Sequence, residues 1–284
     1  MIALLTCLFV WPALGLGQTR TGVFRVSNIP VDVTSSDAVS ARRDALAQGQ
    51  REGLERLMRR LVPADRYGQL PAAADLPMER YVQSFEIANE EVSNTRYLAE
   101  LTVGYDAEAV RELLAKQGLP FAEMRSAPLL VLPLYEAPGG PVLWPENNPW
   151  WQAWADNLDP ERLLRLVLPL GDLGDMALVN VGQVQAGDEA ALLALAERYD
   201  TKDVLVVTAT PVQGTAPNAA PSVRLQTRRV GGVMQVNPPE VVTGQPGQIE
   251  EELLAEAVRR LQNSLDEQWK AANLLRYDQA GSMV

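Results

Sequence analysis

The spacing of apolar positions changes character several times along the chain, beginning with an uninterrupted apolar run, Met1 to Gly17, that gives way to polar sequence at Gln18-Thr19-Arg20. From Val23 to Val33 apolar and polar residues alternate and β-branched side chains are frequent, which predicts a strand closing in a turn at Thr34-Ser35-Ser36-Asp37. Ser36 or Asp37 is placed to cap a helix running to about Leu61. On it Ala38, Ala41, Ala45, Leu54, Leu57, Met58 and Leu61 fall near one face, while Arg43, Asp44, Arg51, Glu55 and Arg59 take the remainder. Pro63 ends the helix. Alternation returns in Tyr81–Val92 and Arg96–Tyr105, joined at Ser93-Asn94-Thr95, and predicts a hairpin. Asp106 then caps a helix to Gln117, where Gly118 and Pro120 stop it. This order predicts a small N-terminal α+β sandwich over residues 18–122.

Beyond the connection GLPFAEMRSAP the pattern differs. Ala127 to Glu136 contains LLVLPLYE, a continuous apolar run of the kind buried on both faces of a sheet. A short helix opens at Asn148-Pro149, a strand is predicted at Leu164–Leu170, a helix at Asp188–Tyr199 and a β-branched strand at Asp203–Val212. Val223–Val230 and Val233–Val236 read as a hairpin about Gly231-Gly232, and a helix spans about Gln248 to Leu274. Strands alternating with helices predict an α/β domain with a mixed sheet over residues 123–274. Residues 275–284 are expected to begin a further segment.

Composition narrows the chemistry. The 284 residues hold no histidine and one cysteine, Cys7, which lies inside the first apolar run. Zinc sites of the Cys/His kind, thiol catalysis and intrachain disulfides are therefore excluded, and no cofactor or metal is expected. With 36 acidic residues against 25 basic ones, the net charge of −11 repels phosphate backbones, so nucleic acid is not an expected partner. The pairs Arg42-Arg43, Arg59-Arg60 and Arg228-Arg229 are interleaved with carboxylates and read as solvated faces.

The first run has the form of a signal-peptide hydrophobic region with cleavage after Gly15-Leu16-Gly17, although no Lys or Arg precedes it. Its 17 residues are at the short limit for a bilayer and include Pro12, which favours cleavage and release to a periplasm over an uncleaved N-terminal anchor. Nothing later is apolar and long enough to span, leaving peripheral association as the remaining route to a membrane.

Several catalytic motifs are missing. No glycine-rich turn precedes Lys-Ser or Lys-Thr, Gly171-Asp-Leu-Gly174 lacks dinucleotide-binding spacing, and neither G-x-S-x-G nor Ser-x-x-Lys occurs. Carboxylates could still support glycosidase-type acid/base work, the candidates being Glu90-Glu91, Asp172 with Asp175, and Glu250 to Glu252. Adjacent carboxylates on a strand point to opposite faces, and Glu250 to Glu252 suit a helix's first turn. Asp172 and Asp175 follow a predicted strand, where ligands of open α/β sheets sit, but a helix cap at Asp172 explains them equally well. The segment Trp144-Pro-Glu-Asn-Asn-Pro-Trp150-Trp151-Gln-Ala-Trp154 holds four of the five tryptophans left after Trp11. Trp150 and Trp154 share a helix face, so that pair can plug the space between helix and sheet while Trp151 projects elsewhere. Exposed indoles would instead stack on a sugar or anchor a protein partner.

Taken together, ARRDALAQGQREGLERLMRRL, ELTVGYDAEAVRELLAKQGLPF, APLLVLPLYE, NPWWQAW, LVLPLGDLGD, AERYDTKDVLVV and WKAANLLRYDQAGSM resemble the bacterial domain-of-unknown-function family numbered 2066, over nearly the whole mature chain. The resemblance implies an exported envelope protein without an assigned activity and transfers no catalytic residue. The expected function is a non-enzymatic envelope adaptor with an unidentified protein partner, contacted through Trp150, Trp151 and Asp172. The alternatives are a peptidoglycan or carbohydrate binder or carboxylate-based glycosidase, and an assembly factor that holds client chains at open strand edges.

Overall fold

A computed structural model describes residues 21–212, 219–232 and 240–275. The apolar run Met1–Gly17 with Cys7, the strand expected at Val233–Val236 and nearly all of the C-terminal segment lie outside the described residues. The chain folds as two compact units, Met1–Leu57 with Pro71–Leu113, and Met58–Leu70 with Leu114–Val284. The first is an α+β sandwich and the second an α/β fold with a mixed sheet.

In the first unit β1 (Arg25–Thr34) leads into α1 (Ala38–Leu61), whose last residues count with the second unit. The turn-length helix α2 (Met78–Tyr81), the hairpin β2 (Val82–Val92) and β3 (Arg96–Tyr105), and α3 (Ala107–Lys116) follow. The strands form an antiparallel sheet in the order β1-β3-β2. The caps fall on the expected aspartates: Asp37 accepts from the Ser40 amide at 3.0 Å and Asp106 from the Ala109 amide at 2.8 Å.

The inner face of the sheet carries Tyr97, Leu101, Val103 and Tyr105 from β3, all buried beneath α1. The buried stripe of α1 is continued by glycine where the sequence pattern left a gap. A Cβ on Gly49 would overlap Leu101 Cδ1, and one on Gly53 would lie 2.7 Å from Ile29 Cδ1, so α1 sits low over β1 and β3. A helix about 10 Å wide covers roughly two strands spaced about 4.8 Å apart. The third strand, β2, is left over. Phe85 and Val92 face inward yet stay largely exposed, and a groove of about 630 Å³ lined by Val39, Leu46, Ala47 and Val92 runs along α1.

The second unit contains β4 (Leu129–Ala137), β5 (Gly140–Val142), α4 (Pro149–Asn157), β6 (Leu166–Val167), α5 (Leu173–Leu178), α6 (Val181–Ala186), α7 (Glu189–Arg198), β7 (Val204–Val212), β8 (Ser222–Val230), β9 (Glu240–Thr243) and α8 (Glu250–Ala272). The sheet order is β5-β4-β7-β8-β9, with β6 also beside β4. Pairing is parallel for β4 with β6 and β7, and antiparallel elsewhere. The apolar run of β4 is buried on both sides, as its lack of alternation implied. Leu129, Val131 and Tyr135 pack against α4 and α8, while Leu130, Leu132 and Leu134 pack against α6 and α7.

Two readings change. The strand expected over Leu164–Leu170 shrinks to the two residues of β6, because Pro169 has no amide to donate and Leu170 turns out to solvent. The stretch after it forms α5 and α6, each six residues long and too short to show a helical period. Among the described residues the antiparallel partner of β8 beyond β7 is β9, with Ser222 opposite Thr243.

Helix α8 carries a polar stripe on its core side. Gln262, Asp266 and Lys270, each four residues apart, are almost fully buried. Gln262 bonds the main chain at Asn157 and Asp159, and Asp266 accepts from the Leu164 amide at 3.1 Å. Lys270 Nζ donates to the carbonyls of Arg59 at 3.0 Å and Val62 at 3.3 Å and meets Glu267 at 2.9 Å. The lysine thus closes the last carbonyls of α1 within the second unit.

Candidate functional site

The tryptophan segment is organised by Asn148, which is itself buried. Its Oδ1 accepts from the Trp151 amide at 2.9 Å to cap α4, and its Nδ2 donates to Leu143 O at 3.0 Å and Val142 O at 3.2 Å. Pro149 takes the first helical position, where its missing donor is not needed. Trp150 and Trp154 point into the core and have no exposed surface. Their rings meet edge to face at 5.8 Å, and Trp150 Nε1 donates to Val207 O at 3.0 Å. The expectation that Trp150 borders a partner surface is thereby corrected, since the four-residue spacing that aligns it with Trp154 also turns both toward the sheet. Trp151 is partly exposed and its Nε1 has no hydrogen-bond partner among the described residues.

Asp172 and Asp175 do come together, on the loop and helix that follow β6. Asp172 caps α5 by accepting from the Asp175 amide at 3.0 Å. Arg198, at the end of α7, grips both oxygens of Asp172 at 2.7 Å and reaches Asp175 Oδ1 at 2.8 Å. The second oxygen of Asp175 accepts from the Gly171 amide at 2.7 Å and the Tyr199 hydroxyl at 2.6 Å. That hydroxyl also accepts from the Leu170 amide at 2.7 Å. Arg198 and then the Asp175 amide hold the Asp172 carboxyl down at about 2, while burial and then the Asp175 hydrogen bond push Tyr199 up to about 12. A carboxyl ionised through the neutral range has no proton to give, and Asp175 is 0% exposed. Hydrogen bonds take up both oxygens of each aspartate, so the pair braces the loop against the end of α7. Of the other candidate carboxylates, Glu90 and Glu250 accept from the hydroxyls of Tyr97 and Tyr135 respectively.

The brace holds apolar side chains out in solvent. Leu173 is 84% exposed, Leu170 69% and Met176 40%. Gly171 between them has φ +71°, and a Cβ there would overlap Pro145 Cδ and lie 3.6 Å from Trp144. The indole nearest the site is therefore Trp144, which is partly exposed. Sequence reasoning found the two aspartates but missed Arg198 and Tyr199. Their signal was the AERYD sequence at the end of a helix, which looks like an ordinary wet helix terminus until the fold brings it to the loop.

Among the described residues no group of three or more metal-ligating side chains converges, and no helix is long and apolar enough to cross a membrane. Residues 30–123 match the family described as a domain of unknown function (DUF8605). No curated protein matches. Similar solved structures include a dodecamer of a PelC point variant from Paraburkholderia phytofirmans, at 11% identity and TM-score 0.31, covering 50% of this chain and 89% of that one. Another is the lipoprotein GNA1162 from Neisseria meningitidis, at 20% identity and TM-score 0.31, covering 49% and 96%. A third is the LpoB C-terminal domain from Salmonella enterica, at 14% identity and TM-score 0.24, covering 43% and 84%.

Proposed function

We propose that this protein is an exported, non-enzymatic adaptor of the bacterial envelope, released into the periplasm by cleavage after Gly17, and that its partner docks on the ridge Leu170, Leu173 and Met176. The observation that carries this reading is the brace beneath the ridge. The main-chain amides of Leu170 and Gly171 are fixed by hydrogen bonds to the Tyr199 hydroxyl and the Asp175 carboxylate, yet the side chains they position contact solvent. Large apolar residues held rigid and exposed lower the entropic cost of association and supply an anchor for a partner pocket. The export-type run Met1–Gly17 and the resemblance to family 2066 support the envelope setting.

The test is in-cell crosslinking of the full chain followed by mass spectrometry of the captured proteins, comparing wild type with Leu173→Asp and Trp151→Ala. A specific partner lost in Leu173→Asp and kept in Trp151→Ala is expected. An identical captured set in wild type and Leu173→Asp would remove the ridge as the docking surface.

A second reading is favoured by β2, whose outer edge has no strand partner among the described residues and whose inward apolar side chains stay exposed. Such an edge accepts an extended client by strand addition. Suppression of client aggregation by wild type but not by a Ser84→Pro edge variant is the result that would support it.

A further inference from the structure

Four arginines from three separate stretches of sequence, Arg60, Arg125, and Arg162 with Arg165, gather near the amino-terminal ends of β4 and β6 in the second unit. The segments leading into the two strands are tied together: Ser126 N donates to Leu163 O at 2.9 Å, Arg165 N to Ser126 Oγ at 2.8 Å, and Leu129 N to Arg165 O at 2.9 Å. This pairing sets Arg125 beside Arg165. Arg60 lies buried behind them, its Nη2 2.6 Å from Glu161 Oε2, and Arg162 Nε is 3.3 Å from Asp159 Oδ2. The carboxylates present are thus engaged by Arg60 and Arg162, while Asp266 stands 3.3 Å from Lys270.

Arg125 and Arg165 are not so matched. The contact of the Arg125 side chain is a 3.5 Å approach of Nη2 to the main-chain oxygen of Glu161, and its buried Nε has no partner among the described residues. Arg165 is exposed and forms no ion pair with a described carboxylate. Burial first, and then the charge of Arg165, hold the Arg125 guanidinium below its usual value against the attraction of Glu161 and Asp159, the two carboxylates that Arg60 and Arg162 engage. Elsewhere in this acidic chain arginines such as Arg25, Arg42, Arg96 and Arg198 each meet a carboxylate. A half-buried guanidinium with unused donors beside a second cation is an unfavourable arrangement that an anion relieves.

We propose that Arg125 and Arg165 form an oxyanion site for a phosphate group. A phosphate presents at least three oxygens in a tetrahedral spread and can accept bidentately from two neighbouring planar forks at once, a match that the two coplanar oxygens of a carboxylate make less well. The phosphate belongs either to a soluble monoester or to a lipid headgroup. The site lies in the strand-entry region and does not depend on the ridge at Leu170–Met176.

Inorganic phosphate titrated into the full chain by calorimetry, at constant ionic strength, tests the site. Saturable binding is expected, about ten-fold or more weaker in Arg165→Gln and in Arg125→Gln, and unchanged in Arg259→Gln, a surface control on α8. Should Arg125→Gln fail to fold, exposed Arg165 alone decides the matter. No binding at about 10 mM phosphate, equal affinity in Arg165→Gln, or acetate bound as tightly as phosphate would each overturn the proposal. Cosedimentation with phosphatidic acid vesicles but not phosphatidylcholine vesicles, lost in Arg165→Gln, would support a lipid source. Phosphate binding without vesicle binding would support a soluble monoester.

Discussion

Asp175 is a carboxylate removed from water, and such a group persists only when its oxygens are bonded. Arg198 Nη1, the Gly171 amide and the Tyr199 hydroxyl fill that need. Removing the hydroxyl by Tyr199→Phe leaves one oxygen under-bonded and frees the Leu170 amide, so a loss of about 1–3 kcal/mol is expected in urea unfolding. The same substitution should loosen the ridge, read as faster hydrogen exchange at Leu170 and Gly171. Asp172 gives a pH dependence. Its carboxyl is lowered from 3.8 to about 2 by Arg198 and the Asp175 amide, so its contribution is complete above the unfolded value and is lost as pH falls from about 4 toward 2. Thermal midpoints measured across that window should fall less steeply for Asp172→Asn than for wild type, and parallel slopes would remove Asp172 from the account.

Helix α1 shows two opposed terms at one position. Alanine is a better helix former than glycine by about 1 kcal/mol, so Gly49→Ala would stabilise an isolated helix. In the folded unit the added Cβ overlaps Leu101 Cδ1 and meets Val31 Cγ1 at 2.9 Å. Overpacking of this kind costs about 1–3 kcal/mol, and the net effect expected from chemical denaturation is destabilising. In α8 the decisive residue is Lys270. Burial would lower its pKa, but Asp266 and Glu267 outweigh that and raise it, so the buried amine stays charged. Lys270→Met removes the charge opposite both carboxylates and the donor to two carbonyls of the α1 terminus, and a loss of about 3 kcal/mol is expected. A change below about 0.5 kcal/mol in the unfolding midpoint analysis would contradict that role.

For the whole molecule the expectation is export. On the proposed cleavage, intact-mass analysis of protein expressed from the full sequence should give a chain beginning at Gln18, with no cysteine remaining. Its thermal midpoint should then be the same with and without reductant, since neither unit relies on a disulfide. A retained Met1 terminus in the membrane fraction would indicate an uncleaved anchor.

The features legible in the sequence were those set by local periodicity. Alternation placed β1, β2 and β3, the unbroken apolar run placed β4 between two helical layers, and Asp37, Asp106, Asn148 and Asp188 marked helix starts that the structure caps with those residues. These signals survive because side-chain period and capping chemistry involve neighbours along the chain. Contacts between distant segments leave no such trace. Whether Trp150 was an anchor or a core plug, which of the four tryptophans stood beside Gly171, and which arginine answered Asp175 were all decided by packing. The glycines of α1 looked like gaps in a stripe until the sheet rose to meet them. The pair Arg59-Arg60 reads in the sequence as a solvated face, yet Arg60 is buried against Glu161, 101 positions away, a partner that no local pattern announces.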